Sequence, residues 1–248
     1  MSNISAHPKW NINIALALWA TSVVLVLLAS PAASLIWVGY RKIAGLPIAF
    51  TKESLMTSGF ILLVIGMSFL AHLLTLAICY TVVTKTNGSG FLEAFGWQWH
   101  QRFGLRESVT ATLLMLLISA IISSVLPNGE TDFEKVMKIS SSVRIATALL
   151  AVVTAPLVEE VVYRGVLFAP ISKVYGTKPA ILIVSALFVA VHLPQYWGGW
   201  AVLVSLTMLS VALTLLRAAT GSLLPCFAVH TLFNAVNGLF IVISGFLE

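Results

Sequence analysis

Seven stretches of this sequence carry almost no charge over lengths that match a lipid bilayer, and this pattern restricts the fold more than any other feature. A spanning helix needs about 20 predominantly apolar residues. Charge-free runs meet that need at Ile12 to Val38, Leu55 to Val83 and Ser108 to Leu126. A fourth, Arg144 to Val174, is interrupted by charge, and a fifth, Pro179 to Leu193, is short and bounded by Pro179 and Pro194. The sixth and seventh run from Trp200 to Leu216 and from Leu223 to Phe246. Composition agrees: 59% of residues are hydrophobic and 9% charged, with a mean hydropathy of +0.99, where a soluble domain carries about 25% charged residues. The expected fold class is all-α, a polytopic integral membrane helical bundle of about seven transmembrane helices, with no soluble catalytic domain.

The net charge of +5 does not point to nucleic acid, because Lys and Arg are scattered singly at the ends of apolar runs, the ordinary orientation signal of membrane helices. Cys79 and Cys226 lie inside apolar runs and read as small buried hydrophobes. The first run is too long for a signal-peptide core of about 7–15 residues and reads as a retained helix. With the N-terminus inside, Lys9, Lys85, Arg102, Arg106, Arg164, Lys173, Lys178 and Arg217 fall on the inner side, eight residues. The opposite orientation places six there: Arg41, Lys42, Lys52, Lys135, Lys138 and Arg144. The count favours an inside N-terminus. A short chain with no organelle-targeting segment is compatible with a prokaryotic plasma membrane.

Residues 1–248 read as a single membrane domain, with N-terminal helices and an interfacial segment over 1–140 and core helices over 141–248. The Lys85 to Glu107 connection mixes Phe91, Phe95, Trp97, Trp99 and Phe103 with His100, Arg102 and Arg106, a pattern that suits an amphipathic segment at the lipid headgroups. The Pro127 to Lys138 connection reads as a solvated loop.

The fourth run contains Glu159, Glu160 and Arg164. A charge at a helix centre costs roughly 3 kcal/mol and an aliphatic residue returns roughly 0.5. Three charges therefore outweigh the eleven Ile, Leu and Val between Ile145 and Leu167, and this helix must be covered by other helices or open to water. Glu160 and Arg164 stand i,i+4 with the acid first, the favourable order for an ion pair, which leaves Glu159 without a local partner. On the fifth run lies Phe188-Val189-Ala190-Val191-His192. If the fourth and fifth helices turn near Gly176, Glu160 and His192 each stand 16 residues from the turn, about 24 Å of helix at 1.5 Å per residue, so an acid and an imidazole share one depth. The last run presents His230, Asn234 and Asn237 on one face. A carboxylate with an imidazole takes a proton from water, and a second imidazole with an amide donates to an oxyanion.

These three segments, Glu159-Glu160-x-x-x-Arg164, Phe188-x-x-x-His192 and His230-x-x-x-Asn234, resemble the ordered motifs of the CPBP family of intramembrane proteases, which includes the CAAX prenyl endopeptidases and bacteriocin-processing or immunity proteins. The resemblance covers about Ala151 to Asn237. It implies that Glu159 and His192 activate the attacking water, that His230 and Asn234 stabilise the tetrahedral oxyanion, and that Glu160 with Arg164 holds the fourth helix, with Phe188 as support. It also implies a membrane-associated protein or peptide substrate, prenylated by analogy with part of the family.

Aspartyl chemistry needs two aspartates and the chain has one, Asp132, while a His-Glu-x-x-His zinc motif is absent. Glu159, His192 and His230 are also a donor set that suits a catalytic zinc with water in the fourth place, so both metal-bound and metal-free chemistry stay open. The rival reading is a transporter or bacteriocin-immunity factor that uses the buried polar cluster for binding. A polar cavity is expected along Glu159, His192, His230 and Asn234, and the basic-residue count puts its mouth on the inner face.

Overall fold

The computed structural model describes residues 8–48, 51–127 and 129–247. The protein is 82% helical and, among the described residues, has no strands and seven helices long and apolar enough to cross a membrane. It is an integral, multi-pass membrane protein.

The first span stacks α1 (Ile12–Leu27) on α2 (Ala29–Ile43). Pro31 lacks the N–H that would close the turn back to Leu27, which accounts for the break at Leu28 inside what the sequence shows as one apolar run. After the short α3 (Lys52–Leu55), α4 (Ser58–Asn87) forms the second span. The third span, α6 (Leu105–Val125), follows the short α5 (Phe91–Ala94), and α7 (Asp132–Met137) leads to the fourth. The fourth span is composite: α8 (Ser141–Leu149), a π-helical turn (Leu150–Thr154), α9 (Ala155–Glu159), a longer π-helical run (Glu160–Leu167) and α10 (Phe168–Tyr175). The last three spans are α11 (Thr177–Tyr196), α12 (Trp200–Thr220) and α13 (Leu224–Leu247).

The composite span is the centre of the bundle, packed against α1, α4, α11, α12 and α13. Every residue from Glu160 to Leu167 is buried, while leucines such as Leu35, Leu62, Leu113, Leu117 and Leu182 are exposed on the outside. That inversion is what three charges in one spanning helix demand. The turn into α11 falls where the sequence places it, at Gly176. Its φ of 87° and ψ of 164° lie in a region that is almost restricted to glycine.

Three expectations need correction. The Lys85 to Glu107 connection does not merely float at the headgroups: Phe95 is fully buried, edge-on to Trp10 at 5.9 Å and to Phe91 at 4.8 Å. Gly165 makes room for it, since a Cβ there would meet the Phe95 ring at 3.0 Å. The Pro127 to Lys138 connection is not a free loop. Thr131 and Glu134 cap α7 reciprocally, Gly129 N–H donates to the Gly198 carbonyl at 3.1 Å, and Phe133 packs on Tyr196 at 5.4 Å. Arg164 and Arg217 are buried inside the bundle, so neither is a loop cation. Without them the basic-residue count becomes six against six, and the reason for an inside N-terminus disappears.

Replacing Gly176 by Ala imposes a strained backbone worth about 1–3 kcal/mol. Thermal unfolding of Gly176→Ala in detergent should therefore show a lower midpoint than the parent, and an unchanged midpoint would show that the turn relaxes freely.

Candidate active site

The two neighbouring glutamates of the composite span have opposite surroundings. Glu160 and Arg164 are completely buried and their side chains pair at 2.9 Å. The guanidinium is then satisfied on all sides: Nη2 donates to the Ser210 carbonyl and hydroxyl at 3.0 and 2.8 Å, and Nε donates to the Thr214 hydroxyl at 3.2 Å. Its flat face lies 4.9 Å over the Phe188 ring, a cation–π contact available to Arg because the guanidinium is planar and weakly hydrated. The Glu159 side chain is 21% exposed, whereas that of its neighbour is wholly enclosed.

Both imidazoles of the motifs come to Glu159. His192 Nε2 stands 3.7 Å from Glu159 Oε1, and His230 Nε2 stands 3.5 Å from Glu159 Oε2. The remaining nitrogen of each ring is committed elsewhere. His192 Nδ1 donates to the Phe188 carbonyl at 2.7 Å, and because a carbonyl only accepts, the proton of the neutral ring lies on Nδ1 and the lone pair on Nε2. His230 Nδ1 donates to Glu160 Oε1 at 2.8 Å. Glu160 therefore does more than the sequence assigned to it: one oxygen holds both Arg164 and the second imidazole. Phe188 wedges these groups together, 4.7 Å from the His192 ring and 5.2 Å from Tyr163.

The hairpin register explains the meeting. Gly176 reverses the chain, α10 and α11 run side by side, and equal residue counts bring acid and imidazole to one level. Backbone carbonyls along the motif helix also accept from side chains elsewhere, two of them where Pro156 and Pro170 have no N–H to offer. The donors are Trp10 Nε1 to Val166 at 3.0 Å, Arg217 Nε to Arg164 at 3.2 Å, and Asn234 Nδ2 to Ala151 at 2.9 Å.

Asn234 thus lies one turn beyond His230, but one of its two N–H groups is used to tie α13 to the first π-helical turn. Asn237 donates to the Phe233 carbonyl of its own helix at 2.8 Å. Sequence reasoning missed Arg217, whose side chain also donates to the carbonyls of Phe95 and Gly221 at 2.7 and 2.6 Å. The signal was present, since Ser210, Thr214 and Arg217 repeat at helical spacing on α12. It also missed Tyr196, which stacks on His192 at 6.4 Å, and Trp19, which donates to the Tyr163 hydroxyl at 3.2 Å. An apolar cavity of about 140 Å³ lies elsewhere, lined in part by Phe103, Met115, Leu213 and Val229 and by none of the four motif residues.

The donor types at Glu159 suit zinc, and both rings have the outer hydrogen bonds common in metal sites. Among the described residues, however, no group of three His, Cys, Asp or Glu side chains is arranged to hold a metal ion. The fit to zinc is therefore one of residue type alone.

Residues 141–236 match the Rce1-like family model, described as type II CAAX prenyl endopeptidase Rce1-like. The match spans the composite helix and every motif residue named above, and it is consistent with the CPBP resemblance. The Rce1-like family is a peptidase family. The matched stretch is less than half of the chain, and the first three spans lie outside it. No curated protein and no solved structure matches the chain.

Removing one member of a buried ion pair strands the other and costs about 3–5 kcal/mol. Glu160→Ala and Arg164→Ala should each lower the unfolding midpoint and the membrane yield well below the parent, measured by thermal unfolding after extraction. Parent-like stability in both would show that the pair does not hold the bundle together.

Proposed function

We propose that the protein is an intramembrane endopeptidase that hydrolyses a peptide bond of a membrane-associated protein or peptide with a water activated by Glu159 and His192. The observation that supports it is the convergence of two imidazole Nε2 atoms on Glu159, the partly exposed carboxylate of the composite span.

The chemistry follows from the hydrogen-bond polarities. A water between Glu159 and His192 points one hydrogen at the carboxylate and the other at the lone pair of Nε2. Its oxygen attacks the scissile carbonyl carbon as Glu159 takes a proton, and the carbonyl electron pair moves onto oxygen. The oxyanion accepts from the Asn234 N–H not used by Ala151 and from His230 Nε2, which carries a proton when that ring is an imidazolium with Glu160 on its other nitrogen. Such donors lower the barrier because they already face the position where charge develops. When the C–N bond breaks, the proton held by Glu159 passes to the leaving amine, and the site returns to its starting state. No step uses a metal.

A peptide carrying a prenylated cysteine near its C-terminus is the first candidate substrate, carried over from the description of the matched family. The purified full chain should cleave such a peptide, with products identified by mass. Glu159→Gln and His192→Ala should each reduce the rate by about 10²–10⁴ while unfolding at the parent temperature. Full activity in Glu159→Gln would sink the mechanism, and equal rates on the prenylated and unmodified peptides would remove the lipid from the substrate class. A chelator such as EDTA should leave the rate within about twofold, since metal-bound water is not the nucleophile; a loss restored by added zinc would replace this mechanism with a metal-assisted one.

A further inference from the structure

Five histidines occur in the chain, and His72 has no part in the chemistry above. It sits in the middle of α4, in an apolar helix with no charge from Ser58 to Thr84 and outside the matched stretch 141–236. Facing lipid it would be costly; it faces inward and is 8% exposed. Its Nδ1 lies 2.9 Å from the Thr154 hydroxyl. Thr154 closes the first π-helical turn, five residues before Glu159, and its hydroxyl donates to the Leu150 carbonyl at 3.4 Å. The bond to His72 is the shorter of the two that Thr154 makes, so the ring is tied to this turn through Nδ1. Its Nε2 has no hydrogen-bond partner among the described residues. α4 packs against α9, the turn that ends in Glu159.

We propose that His72 is a positioning residue of the Glu159 site: bonded to Thr154, it holds from a third helix the turn that carries the carboxylate. His192 comes from α11 and His230 from α13, so a histidine on α4 brings the N-terminal half of the chain into the site. A carboxylate at bilayer depth needs polar surroundings. With His72 bonded to Thr154, the turn that leads into Glu159 is tied to α4 as well as packed on it, and the carboxylate is held where His192 meets it. His72 acts through Glu159 and not on the substrate, so its loss should lower kcat and spare KM.

The kinetic part of this inference rests on the peptidase reading, and a second measurement does not. In the full chain in detergent, labelled with ¹³C at the histidine ring, the His72 resonance is assigned by its loss in His72→Gln. Glu159→Gln should move that resonance and leave His100 in place. A His72 signal that ignores Glu159→Gln overturns the proposal, whether or not any peptide is cleaved. On the peptide assay, His72→Phe keeps the ring volume without the nitrogens and should lower kcat about tenfold with KM within twofold, the scale expected for a displaced catalytic group. His72→Asn should recover part of the loss. Parent-like kcat in His72→Phe, or an equal loss in kcat and in folding stability that His72→Asn does not relieve, also overturns it. If His72→Phe does not fold, Thr154→Val removes only the anchoring hydroxyl and should lower kcat several-fold, with parent-like kcat again overturning the proposal. A parent no faster than Glu159→Gln defeats the peptidase reading instead, and the resonance then decides His72 alone.

Discussion

One buried oxygen organises the structure. Glu160 Oε1 accepts from Arg164 at 2.9 Å and from His230 at 2.8 Å, so the ion pair that lets a charged helix exist inside a bilayer also fixes the ring that faces Glu159. Neither partner of such a pair is stable alone in low dielectric. The bundle therefore closes around Glu160 and Arg164 or fails to form. α12 supplies Ser210 and Thr214 to the guanidinium, α11 supplies Phe188 to its flat face, and α13 supplies His230 to the acid. The helices that satisfy the pair are the helices that build the site.

The same economy applies to the backbone. π-helical turns are often found at functional sites, and in a membrane each freed carbonyl must find a donor within the protein. Trp10 just ahead of α1, Arg217 on α12 and Asn234 on α13 meet that need. Arg217 is the most telling, because it is a buried cation whose hydrogen bonds all go to carbonyls: those of Arg164, Phe95 and Gly221. Through it the wide turn beside the motif is joined to the Phe95 segment, which lies beyond α4 in the chain and outside the matched stretch.

Much of this was legible in the sequence, and the misses have physical reasons. Charge-free length reports spans directly, because the bilayer enforces it residue by residue. The Glu159 and His192 contact was legible because a single glycine turn and equal residue counts determine depth. Glu160 was read as half of an ion pair because i,i+4 spacing is local, while its bond to His230, 70 residues away, has no local signal. Phe95 and α7 were misplaced for a related reason: amphipathic composition describes what a segment tolerates, and whether it docks depends on a partner surface such as the one Gly165 opens. His72 left no periodic trace, since one histidine in a thirty-residue helix has no pattern to match.

The depth arithmetic also corrects the expected mouth. His192 stands about 24 Å along the helix from the Gly176 turn, whereas the hydrocarbon core is about 30 Å thick, and only four residues separate His192 from the end of α11 at Tyr196. The Glu159 site therefore lies close to the face that carries α7 and the Gly198–Gly199 connection, the one opposite Lys173 and Lys178. An inside N-terminus and a mouth on the inner face cannot both hold in this bundle, because seven alternating spans place Gly176 on the same side as Lys9. Only a turn or two of helix separates the level of Glu159 from the α7 face. Phe133, Tyr196 and His192 follow one another there in successive ring contacts, so the α7 connection packs beside the Glu159 site.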